Sequence, residues 1–190
     1  MLETLLQKDT ELLLFLNSLG SEQWDGFWLA LTNQFHWSPL FAFILFLIFK
    51  KFGWKHAILL ILFIAAFVAF SDQFTNFIKH TFDRPRPSYT PGVMEKIRQF
   101  TYRSGGYSFY SGHASLSMTF SFFIILLFRK RTKYIYLLFI FPMLFGYSRI
   151  YLGVHYPLDV TVGYIMGFLW GTVFYRLQKF LRLTTRFSGV

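Results

Sequence analysis

Three clusters of polar residues interrupt an otherwise oily chain, and their types suit phosphoryl chemistry. The first holds Lys79, Arg86 and Pro87, the second Ser111, Gly112 and His113, and the third Ser148, Arg149, His155 and Asp159. Guanidinium forks match phosphate oxygens two at a time, and a lysine adds a point charge. Ser111-Gly112 opens an apolar run, so it predicts a helix N-terminus whose free N–H groups can cradle an anion, with a glycine that permits close approach. Pro157 suits a first helical turn, which leaves His155 just outside a helix and Asp159 within its first turn. A carboxylate there can take the proton of one imidazole nitrogen and free the other for attack. His113 is a second imidazole, able to protonate a leaving group. Nucleophile, orienting acid, proton donor and oxyanion clamp are all present, although residue types alone do not decide which histidine attacks. Three cations and one acid suit Mg²⁺ poorly, since it wants oxygen ligands. No metal and no cofactor are therefore expected. The chain has no Cys, which excludes a thiol nucleophile and any disulfide framework.

The elements that must position these residues read as membrane helices. Hydrophobic residues make up 54% of the 190 and charged ones only 15%, against about 25% in typical soluble proteins. Lipid is the expected solvent. Apolar stretches run from Trp37 to Phe52, Lys55 to Ile78, Phe109 to Phe128, Tyr134 to Ile150 and Pro157 to Phe180. A helix needs about 20 residues to cross a bilayer, so the short first stretch is expected to recruit Trp24–Phe35 on its N-terminal side. The fold expected is an all-α polytopic bundle of about five spans, one domain over residues 1–190. Residues 1–20 mix Leu with charge and are read as an amphipathic helix on the interface in preference to a sixth span. They lack a basic leader and a clear cleavage site, so they read as part of the mature chain.

Five spans assign a side to every loop. One side receives Lys50, Lys51, Lys55, Arg129, Lys130, Arg131, Lys133, Arg176, Lys179, Arg182 and Arg186, with no acid. The other receives the remaining Lys and Arg and all the acids. The positive-inside rule makes the acid-free side cytoplasmic. The loop 79–107 and the turn Arg149–Pro157 then face the periplasm or exterior together, from an inner-membrane protein. Basic residues clustered at span ends, not along one face, argue against a nucleic-acid partner. The partners expected are the bilayer and a phosphorylated lipid.

The three clusters, in this order and at these spacings, resemble the signature motifs of the type 2 phosphatidic acid phosphatase superfamily, which also contains vanadium haloperoxidases. Lys79, six residues, Arg86-Pro87 matches the first motif. Ser111-Gly112-His113 matches the second, with Tyr110 where the family usually has Pro. Ser148-Arg149, five residues, His155, three residues, Asp159 matches the third. The resemblance covers about residues 55–175. It implies that His155 is the nucleophile, that Asp159 orients it and that His113 protonates the leaving oxygen. Lys79, Arg86, Ser111, Gly112 and Arg149 would bind the phosphoryl oxygens. It further implies a membrane lipid phosphatase working through a phosphohistidine, with undecaprenyl diphosphate the leading substrate. Lipid A phosphates and phosphatidylglycerol phosphate are the alternatives, and a haloperoxidase-like oxidation is a remote one.

Other polar residues carry blander readings. Arg84 and Asp83 lie off the motif positions and read as surface or local-pair residues. His36, His56 and His80 read as interface or loop histidines. Asp72, late in the second stretch, is a functional candidate by its setting or a buried polar support for the site. Gly163, Gly167 and Gly171 fall four apart, which predicts close helix packing within the chain or between chains.

Overall fold

A computed structural model describes residues 1–184, all of whose regular structure is helical. Arg186, counted above with the acid-free side, lies outside the described residues. The elements are α1 (Leu2–Ser18), α2 (Glu22–Thr32), α3 (Ser38–Phe82), α4 (Gly112–Phe128), α5 (Ile140–Tyr151) and α6 (Pro157–Phe180). A 3₁₀ turn at Gln34–Trp37 precedes α3, and another at Lys133–Phe139 runs directly into α5.

α3 is two helices. Gly53, at φ 72° and ψ 166°, adopts a conformation open to glycine and breaks the ladder between residues 52 and 54. The contacts of the two legs show a hairpin. Phe41 packs on Phe120 and Phe52 on Phe128, so the first leg runs alongside α4 in the same direction. Phe67 then packs on Phe123, and Thr75 lies against Gly112 at the start of α4, so the second leg returns. The described residues thus form five apolar helical legs, as the hydropathy predicts. Helices Lys133–Tyr151 and Pro157–Phe180 and the α3 hairpin are apolar and long enough to cross a bilayer, and α4 is slightly shorter. Phe67, Phe123, Phe128, Phe141 and Phe174 form the centre of the apolar core.

Trp24–Phe35 does not extend the first span. Asn33 takes an extended conformation (ψ 112°) that stops α2, and its side chain accepts from the Phe35 N–H. The Ser38-Pro39 start then opens a separate helix, with proline in its first turn.

α4 and α6 form the closest pair, and the glycines of α6 are the reason. A Cβ on Gly163 would lie 2.7 Å from the Ser111 carbonyl oxygen, and one on Gly167 2.5 Å from Met118 Cβ. The close packing is therefore within the chain. At the opposite end, Lys51 donates to the Leu127 carbonyl and lies over the rings of Phe52 and Phe128.

α1 lies against α5 and α6. Its Leu13 is buried, and Asn17 Nδ2 donates to the Tyr151 carbonyl at 2.7 Å while its Oδ1 accepts from the Arg98 N–H at 2.8 Å. Leu2, Leu5, Leu12 and Phe15 remain exposed on the far side.

Candidate active site

The three motif clusters meet at one end of the bundle. α3 ends at Phe82, and Asp83 in the left-handed region (φ 46°) turns the chain so that its N–H returns to the Lys79 carbonyl. Two prolines then hold residues 84–87 away from helix. Arg86 is 2% exposed. Its Nε donates to the carbonyls of Gly105 and Gly106, both at 3.1 Å, which ties the long loop back on itself. Its Nη1 donates to the Val154 carbonyl at 2.9 Å and lies 2.9 Å from His155 Nε2.

His155 sits in the tight turn between α5 and α6 and is 1% exposed. Its Nδ1 lies 3.4 Å from Asp159 Oδ2. With Arg86 donating, Nε2 must carry the lone pair, and the proton belongs on Nδ1 beside the carboxylate. Burial pushes the His155 pKa well below the usual histidine value, and the cations Arg86, Arg149 and Lys79 push it in the same direction. The imidazole is thus held neutral with its lone pair on Nε2. Burial, and then Arg149, also push the Arg86 pKa down to about 10, which leaves it charged at neutral pH.

Asp159 is fully buried at the start of α6 and fixed from several sides. Its Oδ2 accepts from the Tyr156 N–H at 3.0 Å, which caps the helix, and its backbone carbonyl accepts from the Ser111 N–H at 3.0 Å. That second bond joins motif two to motif three. Ser111 caps α4 by accepting from the Ala114 N–H, and the α4 N-terminus opens beside it.

Arg149 is fully buried on α5. Its Nη1 donates to Thr32 Oγ1 and, at 3.0 Å, to the Tyr102 hydroxyl. Its Nε and Nη2 have no partner among the described residues. Buried guanidinium nitrogens are costly to leave unpaired, so two open donors mark a place for an anion. Lys79, Gly112 and His113 line a cavity of about 580 Å³ that runs between the α3 legs, α4 and α5. The His113 ring rests on Phe145, with centroids 5.2 Å apart.

Two residues belong to this network against the sequence reading. Arg84 is not a surface or local-pair residue. Its Nη1 donates to Asp159 Oδ1 and its Nη2 to Asp9 Oδ2, both at 2.7 Å, and its guanidinium lies 3.9 Å over the Tyr156 ring. Asp9 on α1 also accepts from the Leu158 N–H at 2.8 Å. A signal for Arg84 existed in the alternation Arg-Pro-Arg-Pro, because extended chain places residues two apart on one side. Asp9, one acid in an amphipathic helix, carried none. Thr32 and Tyr102, the partners of Arg149, were missed in the same way. Asp72 is not a buried support: it is exposed to the cavity, where it accepts from Asn76 Nδ2 at 3.3 Å. His36 serves a local turn, its Nδ1 2.9 Å from the Ala30 carbonyl.

An all-helical membrane bundle whose helix ends gather two histidines, an acid and three cations defines a class of membrane-embedded phosphoryl-transfer proteins. Residues 58–183 match the PAP2 superfamily, and the chain belongs to that family of phosphatases. It is 38% identical over its whole length to a lipid A 4'-phosphatase of Bacteroides thetaiotaomicron, covering 84% of that protein. A lipid A 4'-phosphatase of Porphyromonas gingivalis is 30% identical over 95% of the chain, with 77% of that protein covered. An undecaprenyl-diphosphatase of Bacillus subtilis matches over a shorter stretch, 35% identical over 48% of the chain and 46% of that protein. Among solved structures, a transmembrane PAP2-type phosphatidylglycerolphosphate phosphatase from Bacillus subtilis shares the fold, with a TM-score of 0.67 at 19% identity over 97% of this chain and 89% of that one. The chain is thus a multi-pass membrane phosphatase of the lipid phosphatase family. The relatives that match over nearly the whole chain are lipid A 4'-phosphatases, the alternative in the sequence reading, whereas the relative named for undecaprenyl diphosphate, the leading substrate expected from the sequence, matches about half of it.

Proposed function

We propose that this phosphatase removes phosphate from a lipid A-type glycolipid through a phosphohistidine at His155. The observation that carries the reading is the setting of His155: Nδ1 toward Asp159, and Nε2 unprotonated beside Arg86. In the first step Nε2 attacks phosphorus and the bond from phosphorus to the leaving oxygen breaks. For this attack Arg86 first exchanges its contact with Nε2 for a phosphoryl oxygen, which frees the lone pair. The unpartnered Nε and Nη2 of Arg149, with Lys79, the Ser111 hydroxyl and the Gly112 N–H, take the remaining charge. His113 gives its proton to the leaving oxygen. Water next gives a proton back to His113 and attacks the phosphohistidine, breaking the P–N bond, releasing inorganic phosphate and restoring the imidazole. Asp159 stabilises the positive charge that the imidazole gains on attack.

Because these side chains themselves supply the positive charge, hydrolysis is expected to persist in EDTA and to be blocked by vanadate. We assign the site end of the bundle to the periplasm or exterior, on the distribution of Lys and Arg. Single cysteines at positions 88–107 should label from outside, and those at Arg129 or Lys130 from the cytoplasm. Phosphate release from purified lipids tests the activity: the reading requires turnover of a lipid A phosphate, and turnover of no lipid phosphate would overturn it.

A further inference from the structure

The cavity beside the catalytic residues is layered, and the layering carries information about the substrate. Along the second leg of α3 its wall reads Ile64 and Val68, then Ser71 and Asp72, then Thr75 and Asn76, and finally Lys79. Steps of three and four residues keep all of these on one helix face. The polarity therefore changes along the cavity, from apolar through neutral and acidic to cationic. The facing walls follow this order in part. On α4, His113 and Ser117 lie nearer the site end than Phe120, with Leu116 between them, and on the chain entering α3, Gln34 and Ser38 precede Phe41, with Phe35 between them, while α5 contributes the apolar Phe141 and Phe145. The polar layer spans about 7.5 Å of helix axis from Ser71 to Asn76, at ~1.5 Å per residue.

The layer holds a carboxylate and amides, and among the described residues no cation lines the cavity below Lys79. Ser71 Oγ, on this wall, is buried and has no hydrogen-bond partner among the described residues. A lipid whose phosphate sits directly on a hydrocarbon chain leaves these groups facing hydrocarbon, which is unfavourable for each of them. A diphosphate brings a second negative group toward Asp72. A phosphorylated amino sugar carrying acyl chains fits every layer: phosphate at Lys79, hydroxyls and amide N–H groups toward Asp72, and acyl chains against Val68 and Phe120.

We propose that Ser71, Asp72 and Asn76, with Gln34 and Ser38 opposite, form a subsite for the sugar ring of a phosphorylated, acylated amino sugar, next to the scissile phosphate. The proposal rests on the reading of the chain as a lipid phosphatase and deepens it. It makes Asp72 a residue that selects the leaving group, apart from the groups that handle phosphorus.

The test uses the full-length chain in mixed micelles with three substrates: a lipid A phosphate, undecaprenyl diphosphate and para-nitrophenyl phosphate, which has neither sugar nor acyl chain. The wild type should favour the lipid A phosphate over the prenyl diphosphate. Asp72→Leu and Asn76→Leu should each lower the ratio of kcat/KM for the lipid A phosphate to that for the aryl phosphate by about 10–100-fold, chiefly through KM. Asp72→Leu should also raise relative turnover of the prenyl diphosphate. The ratio is independent of how much of each variant folds. An unchanged ratio in both variants, with the aryl phosphate still hydrolysed, overturns the sugar subsite and leaves the phosphatase reading standing. A wild type that hydrolyses none of the three overturns the reading itself, and the subsite with it.

Discussion

Arg84 holds Asp159 by a 2.7 Å ion pair on the carboxylate oxygen that His155 does not approach. The same guanidinium reaches Asp9, so an acid on the N-terminal helix is linked through Arg84 and Asp159 to the imidazole. An arginine shared between two carboxylates favours the ionised form of Asp159 and fixes its plane, which in turn sets the orientation of the imidazole.

Breaking this chain should slow turnover without removing substrate binding. Arg84→Gln leaves Asp159 buried without its cation and should lower kcat by about 10²-fold, with a smaller change in KM. Asp9→Asn keeps the size of the side chain and removes only its charge, so a drop of about 10-fold is expected. Steady-state kinetics on one lipid phosphate, alongside thermal unfolding in the same detergent, separates the two effects. Equal losses in kcat and in folded fraction would make Arg84 a fold residue only.

The pH dependence follows from the setting of His155. Its pKa is depressed in the folded protein, so below about pH 6.5 the unfolded chain takes up a proton that the native site resists. Stability should therefore fall as pH drops below that value and be unaffected by this group above it. His155, the proposed nucleophile, stays neutral in the same window, so the acidic limb of kcat/KM assigned to it should lie well under pH 6.5. Arg86→Leu removes one of the cations responsible and should shift that limb toward higher pH. A limb at or above pH 6.5 in the wild-type enzyme would contradict the neutral imidazole.

Helix contact at α6 should matter to catalysis as well as to folding. A methyl at Gly163 would press on the Ser111 carbonyl, next to the N–H that holds the Asp159 carbonyl. Gly163→Ala should cost about 1–3 kcal/mol by overpacking and should lower activity by moving motif two away from motif three. Gly26 has open space around its Cα, and Gly26→Ala serves as the comparison. Similar unfolding temperatures for the two variants would argue against the contact.

The parts legible in the sequence were those whose signal is local. Lys79 with Arg86, and His155 with Asp159, are separated by fixed short spacings, so their joint presence could be read directly. The break at Gly53 was legible from Lys50-Lys51-Phe52-Gly53, which interrupts the apolar run. The α2–α3 junction was misread because Trp24–Phe35 is apolar enough to pass for membrane helix, although Asn33 marked the turn. Asp9 and Thr32 could not be read: their partners lie 75 and 117 residues away, and neither has a local feature to separate it from a surface residue. The same holds for Gly163 and Gly167, whose spacing showed a close contact but not which helix made it.

Trapping of the covalent intermediate tests the central claim most directly. Rapid acid-free quenching during turnover of a ³²P-labelled lipid phosphate should yield acid-labile, alkali-stable label on the protein. The label should map to His155 and vanish in His155→Ala together with turnover. His113→Ala should still accumulate label from an aryl phosphate, whose leaving group needs no proton, while losing about 10²–10⁴-fold on the lipid phosphate. Label that persists in His155→Ala and disappears in His113→Ala would contradict the account, since it would exchange the roles of nucleophile and acid.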